Sequence, residues 1–226
     1  AVARAILCAG APAAYLVGGF VRDLLLGREN RDMDIVLDGD ALEWGRRLAD
    51  RLAGGFYILD AERGFARVVI AGENGTRVYV DLSRMEGSCI AEDLARRDFT
   101  INAMAINLCA GQLIDPFHGA EDLRRRTLSL VTPQAIAVDP VRALRAVRLG
   151  VELGFRMTPA LEETIRRDAG GLTSVSAERI QQELHHMLAG PCAAEGLRRM
   201  SSLGLWRWTV PELLPLDGLA QSPPHQ

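Results

Sequence analysis

The chain has 226 residues, 48% of them hydrophobic, and a formal net charge of −3. This is enough apolar material to bury a sizeable core in one large domain or two small ones, and the charge balance excludes a strongly basic nucleic-acid-binding composition. The longest apolar runs are far too short to span a bilayer. All 26 basic residues are arginines. Arginine suits bidentate phosphate contacts, but a genome-wide bias towards arginine explains the lack of lysine equally well. The four cysteines (Cys8, Cys89, Cys109, Cys192) form no CxxC pair and read as reduced cysteines of an intracellular protein. Residues 1–14 lack the charged start and long apolar stretch of a signal peptide, so the expected location is the cytoplasm.

Strand and helix signals alternate through the first half. Residues 15–17 read as a strand ending at Gly18-Gly19, and residues 20–26 as a short helix closed by Gly27. Residues 32–37 alternate polar and apolar side chains, as a strand does. Residues 41–52 carry a helical period that stops at Gly54-Gly55. Residues 56–59, 67–70 and 77–82 are strand candidates, the last two joined through the hairpin signal Asn74-Gly75. From about Asp139 the strand signals cease, and residues 139–153, 159–168, 177–188 and 192–203 read as helices. The expected fold is therefore α+β, with a first half of mixed sheet and helices followed by an all-helical part. No internal repeat or low-complexity segment is evident. Residues 218–226, with Pro223-Pro224, look like the entry to a linker.

Asp32 and Asp34 stand two apart on a predicted strand, so both carboxylates project from one face. Like charges that close repel unless a cation lies between them, and hard oxygen ligands suit Mg²⁺. An isolated Asp-x-Asp is more often a pair of ordinary exposed acids. Here Gly18-Gly19 lies just upstream, where a strand passes into a helix and backbone can approach a phosphate closely. Arg22 follows and can add a charge-assisted phosphate contact, while Asp23 suits the start of the helix.

Residues 16–27, with Gly18-Gly19, Arg22-Asp23 and Gly27, and then Arg31-Asp32-Met33-Asp34-Ile35-Val36 closely resemble the signature of the class II tRNA nucleotidyltransferases and bacterial poly(A) polymerases. Residues 96–105, from Arg96-Arg97-Asp98 to Met104-Ala105, are similar to that family's RRDFTINAMA motif without a change. Asp115-Pro116-Phe117-His118-Gly119 with Asp122-Leu123 resembles its hinge segment, Asp139-Pro140-Val141-Arg142 its EDxxR motif, and residues 175–180 its last core motif. The likeness covers roughly residues 15–215, and several long motifs in order make it specific.

The resemblance implies a nucleotidyltransferase head with a small mixed sheet over residues 1–138, a helical neck over 139–215, and a linker at 216–226 leading towards a further region. It implies that Asp32 and Asp34 bind Mg²⁺ for in-line displacement at the triphosphate, with Asp81 a third acidic position whose alternative is a structural hydrogen bond. Gly18, Gly19 and Arg22 would face the triphosphate, and Arg97, Asp98 and Asn102 the ribose. Asp139 and Arg142 would read the base of CTP or ATP. Asp139 before Pro140 also has the makings of a helix N-cap. Arg145 and Arg148 continue that helix face, either as structural residues or as contacts to nucleotide or RNA. Residues 176–180 are expected to brace the base-reading helix.

Two departures bear on product. Val138 replaces the family's glutamate before Asp139. The connection between Asp81 and Glu92 is short, whereas family members that complete the CCA end usually carry a longer flexible loop there. The implied activity is CMP and/or AMP addition to the 3′ end of tRNA, leaning to CC addition. A poly(A) polymerase is the near alternative, and a non-catalytic RNA-binding module of the same fold the distant one.

Overall fold

The computed structural model describes residues 13–72 and 75–216. The chain divides into two compact units, Ala1–Arg125 and Arg126–Gln226.

In the first unit β1 (Ala14–Val17) runs into α1 (Gly19–Leu25), then β2 (Asp32–Leu37) and α2 (Ala41–Leu52). Asp40 starts α2 by accepting hydrogen bonds from the backbone N–H groups of Leu42 and Glu43, which satisfies two donors that have no partner inside the helix. β3 (Gly55–Asp60), β4 (Phe65–Ala71) and β5 (Arg77–Arg84) follow, then α3 (Ile90–Ala95), a 3₁₀ turn at Thr100–Asn102, β6 (Ala105–Asn107), β7 (Leu113–Ile114) and α4 (Gly119–Arg125). Of the hairpin signal between β4 and β5, Gly75 has φ 75°, while Asn74 lies outside the described residues.

Seven strands form one sheet in the order β3-β4-β5-β2-β1-β6-β7. β2 and β5 pair in parallel and their other neighbours antiparallel, so the sheet is mixed, as expected. β6 and β7 were not legible as strands because they are too short to show a period. The core lies where Val17, Ile35, Leu37, Val80 and Leu82 meet Val21, Leu48 and Leu94, all essentially inaccessible. The segment 99–105 threads through it, with Phe99, Ile101, Ala103, Met104 and Ala105 fully buried.

Gly119 shows why the two downstream motifs belong together. A Cβ there would lie 2.2 Å from the Thr100 carbonyl oxygen, so only glycine lets the start of α4 reach that turn. Asp115 caps α4 through the N–H groups of Gly119 and Ala120, at 2.7 and 3.0 Å. The Thr100 hydroxyl donates to Asp122 at 2.6 Å.

The second unit is helical apart from a two-residue parallel ladder, β8 (Thr127–Leu128) with β9 (Arg156–Met157). Its helices are α5 (Ala135–Val138), α6 (Arg142–Leu153), α7 (Pro159–Asp168), α8 (Ala177–Ala189), α9 (Ala193–Ser202) and the short α10 (Trp206–Thr209), with 3₁₀ segments at Ala169–Ser174 and Pro211–Leu216. α6 is the most deeply set: Ala143, Leu144, Ala146, Val147, Leu149 and Gly150 are all buried. Among the described residues, no helix is long and apolar enough to cross a membrane.

Candidate active site

Gly18 makes the turn from β1 to α1 with φ 73° and ψ −145°, a conformation L side chains rarely adopt. A Cβ on it would lie 3.0 Å from both Asp34 Oδ2 and Arg97 Nη1. Glycine is thus required twice, by backbone angle and by the carboxylate and guanidinium that converge on it. This one turn gathers the Gly18-Gly19 pair, β2 and the segment after α3, three sequence motifs that are far apart in the chain.

Asp32 and Asp34 share a face of β2, Asp32 exposed and Asp34 half-buried. Burial pushes the Asp34 carboxyl up from 3.8 to about 6. Arg97 draws it down, Asp81 and Asp32 push it higher, and Arg67 opposes them.

Arg22 and Asp23 are both buried. Arg22 Nε and Nη2 donate to the two Asp23 oxygens, each at 2.9 Å, and Asn30 Nδ2 donates to Asp23 at 2.7 Å. Arg22 Nη1 donates to Asn102 Oδ1 at 2.9 Å, and Asn102 Nδ2 donates to Asp98 Oδ1 at 3.0 Å. Asp98 Oδ1 also accepts from the Phe99 N–H at 2.7 Å. Asn30 Oδ1 accepts from the Asp32 N–H at 2.9 Å. A continuous chain of hydrogen bonds therefore joins the start of β2 to Asp98. The reading of Asp23 as a helix-start residue is corrected: it forks Arg22, and no acid lies in the first turn of α1. Asn30 carried no signal in the sequence, because its role depends on packing between segments. The same holds for Asp93, which lies 3.4 Å from Arg97 and accepts from the Glu86 N–H at 3.1 Å.

Asp81 stands beside Asp34 in the β2–β5 register. Arg67 Nε and Nη2 donate to Asp81 Oδ1 and Oδ2 at 2.7 and 2.8 Å. That fork engages both oxygens, so the geometry supports the structural alternative for Asp81 over a metal-ligand role.

In the second unit Asp139 does not cap the helix that follows. Its backbone is extended, and α6 begins at Arg142 with no side-chain cap. Instead Asp139 Oδ2 accepts from Arg179 Nη2 at 2.8 Å and lies 3.8 Å from Arg142 Nε. Its Oδ1 is buried and, among the described residues, has no hydrogen-bond partner. Arg142 Nη1 donates to the Ala135 carbonyl at 3.2 Å. Bracing by residues 176–180 thus runs through Arg179, which the sequence did not single out. Arg145 and Arg148 both donate to Glu183 through Nε, at 2.9 and 2.7 Å. Glu183 is 7% exposed. The geometry therefore supports the structural reading of both arginines, as a clamp between α6 and α8. Val138 is 77% exposed, so replacing a glutamate there leaves no hole in the core.

Residues 14–129 match the family described as "Poly A polymerase head domain", and residues 154–216 that described as "Probable RNA and SrmB- binding site of polymerase A". The chain belongs to the class II tRNA nucleotidyltransferase and poly(A) polymerase family. It is 43% identical over 188 residues to a CC-adding tRNA nucleotidyltransferase of Synechocystis sp., covering 82% of this chain and 44% of that protein. An A-adding tRNA nucleotidyltransferase of Deinococcus radiodurans is 39% identical over 219 residues, covering 95% and 49%. Among solved structures, a tRNA nucleotidyltransferase complexed with a primer tRNA and an incoming ATP analog superposes with a TM-score of 0.82 at 30% identity, covering 98% of this chain and 64% of that one. The chain spans a little under half the length of these two curated relatives.

Nucleotidyltransferases of this family generally depend on a divalent metal. Among the described residues no three His, Cys, Asp or Glu side chains converge as a cage. The Asp32/Asp34 pair still fits a cation that keeps water and substrate oxygens as its other ligands, which is the habit of Mg²⁺. A half-buried Asp34 with two acidic neighbours gains most from such a counter-charge.

Proposed function

We propose that the protein is a template-independent RNA nucleotidyltransferase, adding CMP and/or AMP from CTP and ATP to the 3′ end of tRNA, with CC addition the leading product. The single observation that carries this is the convergence of Asp34 and Arg97 on Gly18, a site with ligand oxygens and a cation around a backbone no side chain obstructs. In the reaction the RNA 3′-hydroxyl oxygen forms a bond to the α-phosphorus, the bond to the β-phosphate breaks, and pyrophosphate leaves while the hydroxyl proton passes to solvent. Asp32 and Asp34 would hold Mg²⁺, which when bound supplies positive charge to the hydroxyl and the triphosphate. Gly18 and Gly19 face the triphosphate, while Arg22, its guanidinium already committed to Asp23 and Asn102, supports the site through those bonds. Arg22 holds the amide of Asn102, so that Asn102, Asp98 and Arg97 present fixed groups to a ribose. Asp139 and Arg142 read the base, with Arg179 fixing the carboxylate.

The lean to CC addition rests on the connection from β5 to α3. Residues 85–89 are tightly tied: the N–H groups of Met85, Glu86 and Ser88 donate to Leu37 O, Asp93 and Glu92 respectively. The connection is short and held by these bonds. The CC-adding enzyme of Synechocystis sp. is consistent with this lean. We place the protein in the cytoplasm, with its substrates.

The test is to offer tRNA ending at the discriminator base with each nucleotide in turn. Addition of two CMP residues is expected. Long AMP tails on general RNA would mean a poly(A) polymerase instead, and no transfer at all a binding module.

A further inference from the structure

The face of the sheet that carries the carboxylates does not end at β5. Two register rows cross it. One runs Asp34, Asp81, Arg67, Tyr57, and the other Asp32, Tyr79, Val69, Gly55. Residues in register point to the same side of a sheet, so Tyr57, Arg67 and Tyr79 share the face of Asp32 and Asp34. They line an open groove of about 590 Å³ that also takes in Arg77. Tyr57, on edge strand β3, lies three strand spacings from Asp34, about 14 Å.

The groove is chemically particular. Arg67 lies over the Tyr79 ring at 5.4 Å while its edge is forked to Asp81. Its guanidinium is therefore a fixed plane, and its side chain is still 39% exposed. The ring of Tyr57 lies close over Gly55, where a Cβ would meet it at 3.0 Å, and Tyr57 is 56% exposed. A flat aromatic ring and a flat guanidinium side by side are what unpaired bases stack on. Arg77, exposed two residues along β5 from Tyr79, offers a phosphate contact.

We propose that this groove binds the unpaired 3′-terminal nucleotides of the acceptor RNA. Bases stack on Tyr57 and the Arg67 plane, and the strand is led across β4 and β5 to the carboxylates on β2. Continuity with that face and the pairing of ring and cation argue for a single strand of nucleic acid over a second protein chain. The inference deepens the nucleotidyltransferase reading and rests on it for the identity of the strand.

Tyr57→Ala and Arg77→Ala in the full protein test it. For Tyr57→Ala the expected result is about a fivefold rise in KM for RNA, the low end of base–aromatic stacking. KM for CTP, kcat at saturating RNA and Tm stay unchanged, and Tyr57→Phe restores the RNA KM. Arg77→Ala raises the RNA KM and flattens its salt dependence. In parallel, anisotropy of a short unstructured RNA oligonucleotide is read without nucleotide or divalent metal, and Tyr57→Ala weakens binding by a similar factor. If transfer is absent from the wild type but oligonucleotide binding still depends on Tyr57, the groove stands and the enzymatic reading falls. If Tyr57→Ala leaves both RNA readouts unmoved, or only dissociates a dimer through β3, the groove proposal falls and the enzymatic reading stands. A rise in CTP KM equal to that for RNA would also overturn it.

Discussion

Asp34 and Asp81 stand side by side in the parallel register of β2 and β5, yet only Asp81 is forked by an arginine. The same two strands thus hold one carboxylate forked by Arg67 and one that Arg97 attracts without a fork, leaving its oxygens for a ligand. The Asp34 carboxyl is raised to about 6, chiefly by burial.

The folded protein binds the Asp34 proton more tightly than the unfolded chain does. This contribution is complete below 3.8 and is lost as pH rises towards about 6, above which a partly buried anion weighs against folding. Divalent-cation affinity should therefore fall as pH drops below about 6, because the proton competes for Asp34. Asp34→Asn should abolish transfer yet stabilise the metal-free protein above that pH by about 1–2 kcal/mol, allowing for solvent screening. Calorimetry with and without Mg²⁺ at pH 5 and 8 reads both effects. Full turnover by Asp34→Asn, or by Asp32→Ala, would remove the metal assignment.

Arg67 lowers the Asp34 carboxyl as well as forking Asp81. Arg67→Met should move the acid limb of the rate–pH profile to higher pH and lower stability by about 1–2 kcal/mol through the unpaired Asp81. An unshifted limb with the stability loss intact would mean that Arg67 acts on Asp81 alone.

Arg179 touches Asp139 at 2.8 Å. Releasing that carboxylate should change nucleotide choice, so Arg179→Ala is expected to alter the CTP/ATP ratio of kcat/KM severalfold, in the same direction as Asp139→Ala. Divalent-cation binding to Asp32 and Asp34 should not move. Identical CTP/ATP ratios in the wild type and all three of Asp139→Ala, Arg142→Ala and Arg179→Ala would show that the base is read elsewhere.

Glu183, 7% exposed, accepts from both Arg145 and Arg148. Removing the acid leaves two partly buried cations without it, so Glu183→Ala should destabilise by about 2–3 kcal/mol, somewhat less than a fully buried pair because Arg145 and Arg148 retain some solvent. Nucleotide choice should stay as it is. A changed CTP/ATP ratio at unchanged Tm would instead place these arginines against substrate.

By itself the amino-acid sequence determined the longer elements, which carry a local signal, and left short ones such as β6, β7, α3 and α4 unread because they carry none. The alternation of residues 32–37, the helical period of residues 41–52 and the stop at Gly27 all reappear in β2, α2 and the left-handed turn after α1. It also marked Asp32, Asp34, Gly18 and Arg97, since the motifs holding them are contiguous. Which of these residues meet was decided only by tertiary structure. Gly18 is pressed by Asp34 and Arg97, Arg22 is held by Asp23 and Asn102, and Asp81 is engaged by Arg67. A carboxylate's role depends on which cation reaches it and how much water is left around it. Both are set by strand register and packing between distant segments, and neither has a period or a spacing in the chain. The same holds for Asp139: its place before a proline suggested a cap, and the packing of α8 against α6 gave it to Arg179 instead.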